Sequence, residues 1–299
     1  MLLVTGAASI VGRHVVHELR DADVPHRALV HSKAAITPAD FGSAELVIGE
    51  LNDRQALDLA LDGVESVILI TRARPDQVAR ETTLLAAAQR HGVRRLVKMS
   101  SVGASRSARV NVGRWHWEIE RLLQASPLEW VVVRSHRPMQ HVYTQLSSLL
   151  SQQAFYGCQG DGASADVDVR DVAAVLSRAA LDPTYTRQVL EVTGPAAITP
   201  QDTARALAAA MGQPMAYVDC SAAEFVRGQL AAGLQDWQAD GRAAWQSEAR
   251  DGHFASVSDH VARMLGRAPR TVEQFANEFA AAVRYARPLR SRHEGVPAQ

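Results

Sequence analysis

The chain has 299 residues, with 32 Lys and Arg against 32 Asp and Glu, so its formal charge is zero. Such a balance offers no electrostatic case for nucleic acid or an acidic membrane surface, and a 47% apolar share supports a sizeable core. Two cysteines, Cys158 and Cys220, form no disulfide framework and suit a reducing cytoplasm. No run approaches the roughly 18 apolar residues of a membrane helix, and Met1 leads directly into an apolar run, where no secretory leader is expected.

Met1–Val4 is predicted as a buried strand. Thr5-Gly6-Ala7-Ala8-Ser9-Ile10-Val11-Gly12 follows, and the apolar residues at 11, 15, 16 and 19 recur with helical spacing. A strand, a tight turn and a helix start present free N–H groups and a positive helix end to a pyrophosphate. That group would lie across Gly6, Ala8, Ser9, Ile10, Val11, Gly12 and Arg13. Gly6 allows the turn, and Gly12 lets the helix approach the strand. The bland counterpart is a strand–helix turn with no ligand. Ser9 stands where a bare glycine usually admits the phosphates, so its hydroxyl either donates to them or crowds them.

Arg27–Val30 is the second predicted strand, ending at His31-Ser32-Lys33. Glu45–Ile48 is the third, ending at Gly49-Glu50-Leu51. Asn52 or Asp53 then caps a helix through Ala60. Ser66–Ile70 is the fourth strand, ending at Thr71-Arg72, and Asp76–His91 is a helix. Arg95–Met99 is the fifth strand, ending at Ser100-Ser101. Trp115–Ala125 is a helix, and Trp130–Val133 is the sixth strand, ending at Arg134-Ser135-His136. This alternation predicts an α/β fold with a doubly wound parallel sheet. Beyond Gln140, Ala163–Val169 looks like a strand, with Asp171 capping a helix over Val172–Leu181. Gln188–Val192 is a further strand, Thr199-Pro200 opens a helix ended by Gly212, and Ala216–Asp219 is a short strand. The expected organisation is a dinucleotide-binding domain over 1–153, joined by strands within 163–195, and a smaller, mostly helical lobe over 154–299.

The segments VTGAASIVG, LVHS, VKMSSVGAS, HWEIERLLQ, VVVRSHRPM and LGRAPRTVEQF together resemble the NmrA-like branch of the atypical short-chain dehydrogenase/reductases, over roughly residues 1–285. The chain is similar in particular to bacterial NAD(P)H-dependent quinone reductases and triphenylmethane-dye reductases of that branch. The resemblance implies a Rossmann-type domain, a small C-terminal lobe and a cleft between them. It further implies that Gly49, Glu50 and Leu51 border the adenine, Thr71 and Arg72 the ribose or pyrophosphate, and His136, Arg137, Pro138 and Met139 the nicotinamide. Arg-Pro usually follows the sixth strand directly in this family. Here Arg134 is followed by Ser135, with His136-Arg137-Pro138 beyond.

No Asp or Glu closes the second strand to bind a ribose 2′-hydroxyl. His31, Ser32 and Lys33 offer donors there, which suits a 2′-phosphate and favours NADPH, with NADH still admissible. Lys33 is equally readable as a solvated charge. The usual short-chain reductase pair, a Tyr with a Lys four residues on, is absent, because Lys33 and Lys98 are the only lysines. The matching helix carries His116 and Glu120, four apart on one face. A histidine there can donate a proton, with the carboxylate orienting it or keeping it charged. The alternative has Glu120 pairing with an arginine and His116 merely packing. Ser100 and Ser101 read as a strand-end pair near the nicotinamide. Trp115, Trp117, Met139, Tyr143, Phe155 and Tyr156 supply either an aromatic lining or ordinary packing.

These features suggest an NAD(P)H-dependent reductase that transfers a hydride to a quinone-like or other aromatic or conjugated small molecule. The alternatives are a dinucleotide-binding redox sensor without turnover and a non-redox isomerase or cyclase in the same cleft. No metal site is expected. Neither nucleic acid nor membrane is an expected partner, and the sequence is compatible with a homo-oligomer.

Overall fold

The computed structural model describes residues 1–32 and 41–291, with side chains as far as Tyr285. The chain divides into two units. The first comprises Met1–Pro138, Val169–Thr193 and Val257–Pro269, and the second comprises Met139–Asp168, Gly194–Ser256 and Arg270–Gln299. Residues 139–153 therefore group with the second unit, and the segments 169–193 and 257–269 with the first.

The first unit is built on strands β1 (Leu2–Val4), β2 (His26–Val30), β3 (Glu45–Ile48), β4 (Ser66–Leu69), β5 (Arg95–Ser101), β6 (Glu129–Ser135) and β8 (Gln188–Val192). They form one sheet in the order β3-β2-β1-β4-β5-β6-β8, and every pairing is parallel. β1 and β4 are buried along their whole length, as strands covered on both faces must be. Side chains alternate across the sheet. Leu3, Leu29, Val67, Leu96 and Val132 share a core with helices α2 (Arg54–Leu61) and α3 (Gln77–Arg90). α4 (Asn111–Gln124) adds Leu123 to that core. On the other face α1 (Ile10–Asp21) packs against α6 (Val169–Leu181).

The second unit holds α5 (Leu146–Gln152), a parallel pair of strands β7 (Ala154–Gly157) and β9 (Ala216–Asp219), and a set of helices. Its helices α7 (Pro200–Met211) and α11 (Val272–Ser291) pack together. Between them Leu207, Phe275 and Phe279 join Leu149 and Phe155 in a separate core. α7 opens on a capping box between Thr199 and Asp202.

Three expectations need correction. Residues 163–168 form no strand. The stretch holds isolated bridge residues only, Ser164, paired with Ile198, and Val167, and Val169 already begins α6. The polarity of that stretch alternates but its burial does not, because Ser164, Asp166 and Asp168 are as buried as their apolar neighbours. Asp171 is consequently inside the first turn of α6 rather than its cap, buried and paired with Arg267 at 2.8 Å. α4 begins at Asn111, four residues before Trp115, with no side-chain cap at Val110 to announce it.

Candidate functional site

Because the strands are parallel, their carboxyl ends lie along one edge of the sheet. β1 and β4 are neighbours there, where the strand order reverses, which is the place where open α/β sheets bind ligands. Thr5 ties the two ends together. Its hydroxyl donates to the Ile70 carbonyl at 2.9 Å and accepts from the Ile70 amide at 3.0 Å. Gly6 follows at φ +57°, and a Cβ on it would stand 2.5 Å from the Ile70 carbonyl oxygen. A Cβ on Gly12 would stand 2.2 Å from the Gly6 carbonyl oxygen and 2.7 Å from the Ala7 Cα. The turn and the first helical turn are therefore in direct backbone contact.

Ser9 caps α1. Its Oγ accepts from the Gly12 amide at 3.0 Å, and its carbonyl accepts from Arg13. The capping oxygen still carries a proton to donate outward. Ser9 and Ile10 are exposed, and among the described residues the amides of Ile10 and Val11 have no protein acceptor. Two free donors at a positive helix end, over a cradle that a Cβ would fill, fit a pyrophosphate. Arg13 folds back, its Nε donating to the Ala8 carbonyl at 3.1 Å.

The other expected cofactor residues fall on the same edge. His31 is exposed and Ser32 half-buried after β2, while Lys33 lies outside the described residues. Glu50 follows β3 and forms an ion pair with Arg80; Leu51 beside it is buried. Arg72 is exposed after β4. His136 follows β6, fully enclosed, with Nε2 at 2.7 Å from Glu191. This contact is the largest cause holding the Glu191 carboxyl below its ordinary range, although Glu191 is partly exposed.

At the ends of β4 and β5 the structure gathers a buried polar network that the sequence reading missed in part. Lys98, on β5, is paired with Glu81 of α3 at 2.6 Å, and both side chains are completely enclosed. Glu81 Oε1 also accepts from Thr71 at 2.5 Å and from Gln77 Nε2 at 2.8 Å. Gln77 Nε2 lies 3.4 Å from His116 Nδ1. The signals for it are present in the chain. Lys98 interrupts an apolar strand, and Gln77 and Glu81 share the spacing of the buried Leu84, Leu85 and Ala88 on α3.

His116 and Glu120 are both buried on α4 but belong to different networks. Glu120 accepts from Ser100 at 2.5 Å and from Arg134 at 2.6 and 3.1 Å. It therefore pairs with an arginine, the alternative weighed above, and does not keep His116 charged. Burial, reinforced by the Lys98 charge, pushes the His116 imidazole well below its ordinary value, so the ring is neutral near pH 7. Ser101 turns its hydroxyl onto the Val102 carbonyl at 3.1 Å. Trp115 and Trp117 are half-buried on the same helix as His116.

Met139, Tyr143 and Tyr156 belong to the second unit. Met139 is a buried member of its core, with Phe155. Tyr143 packs against Phe279 and Phe275 at ring distances of 5.0 and 6.2 Å. Tyr156 donates to Gln152 at 2.5 Å and is partly exposed. Met139 and Phe155 are thus packing residues, while Tyr143 and Tyr156 keep an open face.

No helix among the described residues is long and apolar enough to cross a membrane. A profile of the NAD(P)H-binding family matches residues 6–183. Among curated proteins, an NAD(P)H azoreductase of Xenophilus azovorans is 32% identical over 282 residues, covering 94% of this chain and 99% of that protein. A (4-alkanoyl-5-oxo-2,5-dihydrofuran-3-yl)methyl phosphate reductase of Streptomyces griseus is 32% identical over 285 residues, with the same two coverages. An NADPH-dependent quinone oxidoreductase of Escherichia coli, solved in complex with NADPH, shares the fold with a TM-score of 0.84 at 24% identity, over 93% of this chain and 99% of that one. The glycine cradle at the sheet edge thus sits within a chain that is similar from end to end to NAD(P)H reductases, and the protein belongs to the NAD(P)H-binding family of oxidoreductases, in its NmrA-like atypical short-chain branch.

Proposed function

We propose that this protein reduces a quinone-like, azo or otherwise conjugated small molecule with NADPH. The observation that carries the reading is the start of α1. Gly6 and Gly12 leave no Cβ over the turn, Ser9 caps the helix, and the Ile10 and Val11 amides remain to be used. The azoreductase relative supports the substrate class. Gly6, Ala8, Ser9, Ile10, Val11, Gly12 and Arg13 would hold the pyrophosphate, and His31 with Ser32 the adenosine end. Bound NADPH supplies a hydride, and a neutral quinone that accepts it, leaving NADP⁺, becomes a monoanion that takes one further proton from water. Such an acceptor brings its own electrophilicity, so a Tyr–Lys pair is not required and the protein's task is orientation and exclusion of water.

The test is a fluorescence titration with NADPH and NADH, followed by mixing with a panel of quinones. Saturable binding with quinone-dependent oxidation of NADPH supports the reading. Binding without turnover by any acceptor would point to a dinucleotide sensor, and no binding of either coenzyme would exclude both.

A further inference from the structure

The network beneath His116 determines which ring nitrogen carries its proton. We infer that the Lys98–Glu81 ion pair, acting through Gln77, holds His116 as a neutral imidazole with hydrogen on Nε2, and that this Nε2–H is a fixed donor to the substrate oxygen that gains negative charge. The first link is the ion pair. Lys98 Nζ lies 2.6 Å from Glu81 Oε2, and neither side chain is exposed. A carboxylate so paired accepts hydrogen bonds and donates none. The second link is the Gln77 amide. Its nitrogen is 2.8 Å from Glu81 Oε1. Turning the amide over would put its oxygen against the carboxylate, two acceptors in contact, so the orientation is set by the network. Among the described residues, Gln77 Oε1 is buried and has no hydrogen-bond partner.

The third link is the histidine. The same Gln77 nitrogen faces His116 Nδ1 at 3.4 Å. A donor facing Nδ1 requires a lone pair there, and a neutral ring with a bare Nδ1 carries its hydrogen on Nε2. Thr71 is held in the same network, donating to Glu81 at 2.5 Å, so the end of β4 is positioned by the same carboxylate. His116 retains 8% exposure, an opening for contact with a ligand.

The chemical consequence rests on the reductase reading above; the tautomer does not. Hydride acceptance by a neutral quinone places charge on oxygen, where a preset donor helps. A cationic triarylmethane acceptor is neutralised by the same step and has little use for one. Lys98, Glu81 and Gln77 are positioning residues in this scheme. The experiment is a long-range nitrogen–proton correlation spectrum of the full chain with nitrogen-labelled histidine near pH 7, with His116→Asn assigning the signal. The expected result is a protonated Nε2 and an unprotonated Nδ1 for His116 in the unmodified protein. A proton on Nδ1, or on both nitrogens, would overturn the inference. In Gln77→Leu the tautomers should mix, and the ratio of benzoquinone to triarylmethane-dye turnover should fall roughly tenfold. An unchanged ratio would remove the donor role. If the unmodified protein turned over neither acceptor, the functional reading would fail while the spectrum still decided the tautomer.

Discussion

Among single residues, glycines with no room for a side chain and a histidine held neutral shape the site. Gly12→Ala would drive a Cβ into backbone atoms of Gly6 and Ala7, which have no rotamer to change. The expected cost is about 1–3 kcal/mol of stability, with NADPH affinity reduced roughly tenfold or more; urea unfolding and a binding titration measure the two separately. His116 makes stability depend on pH. Its folded-state pKa is depressed, so below about pH 6.5 the unfolded chain binds the proton that the folded one refuses. Stability is complete above that value and is lost as pH falls through it. Between about pH 7 and about pH 5 the wild-type protein should therefore lose more stability than His116→Asn; equal losses would show that the ring is not held neutral. Gly6, Gly12 and the absent Tyr–Lys pair were readable in the chain, because each depends on a residue type at a spacing. The partners of His116 and Glu120 were not. Helical spacing places both on one face of α4, but only the three-dimensional arrangement decides that Arg134 takes one and Gln77 the other.

At the scale of elements, the sheet is as legible as its burial is uniform. β1, β4 and β5 announce themselves by apolar runs, and the loops that follow carry the site. Recognition fails where polar residues are buried and hydrogen-bonded to one another, as Ser164 is to Asp166 within 163–168, and it leaves out β7. One polar side chain joins elements at the opposite, amino end of the sheet. Arg95 begins β5 and is buried, its guanidinium donating to the carbonyls of Ala179 and Asp182 at 2.7 and 2.9 Å and to Thr186 at 2.5 Å. It thereby satisfies the last carbonyls of α6 and fixes that helix to the sheet. Arg95→Met should lower the urea midpoint by the equivalent of about 3 kcal/mol with an unchanged slope. Because the site lies at the other end of the strands, NADPH affinity in the folded variant should stay at the wild-type value.

For the molecule as a whole, composition indicated a sizeable core, the alternation of strands and helices an α/β fold, and the resemblance its family. The route of the chain was hidden. It passes between the two units at residues 138, 168, 193, 256 and 269, of which the sequence marks only the first, by a change of texture near Gln140. A ligand that binds only the folded protein stabilises all of it, so NADPH at a hundred times its dissociation constant should add about 2.7 kcal/mol and raise the thermal midpoint. NADH at the same concentration should add less, given the donors His31 and Ser32 and the absence of an acid after β2. The most direct test of the central claim is an anaerobic single-turnover experiment, in which the NADPH-loaded protein is mixed with a neutral quinone and oxidation of the coenzyme is followed. One coenzyme should be oxidised per quinone reduced, at a rate that saturates with quinone. Coenzyme that stays reduced in the presence of every quinone tried, or that never binds, would contradict the claim.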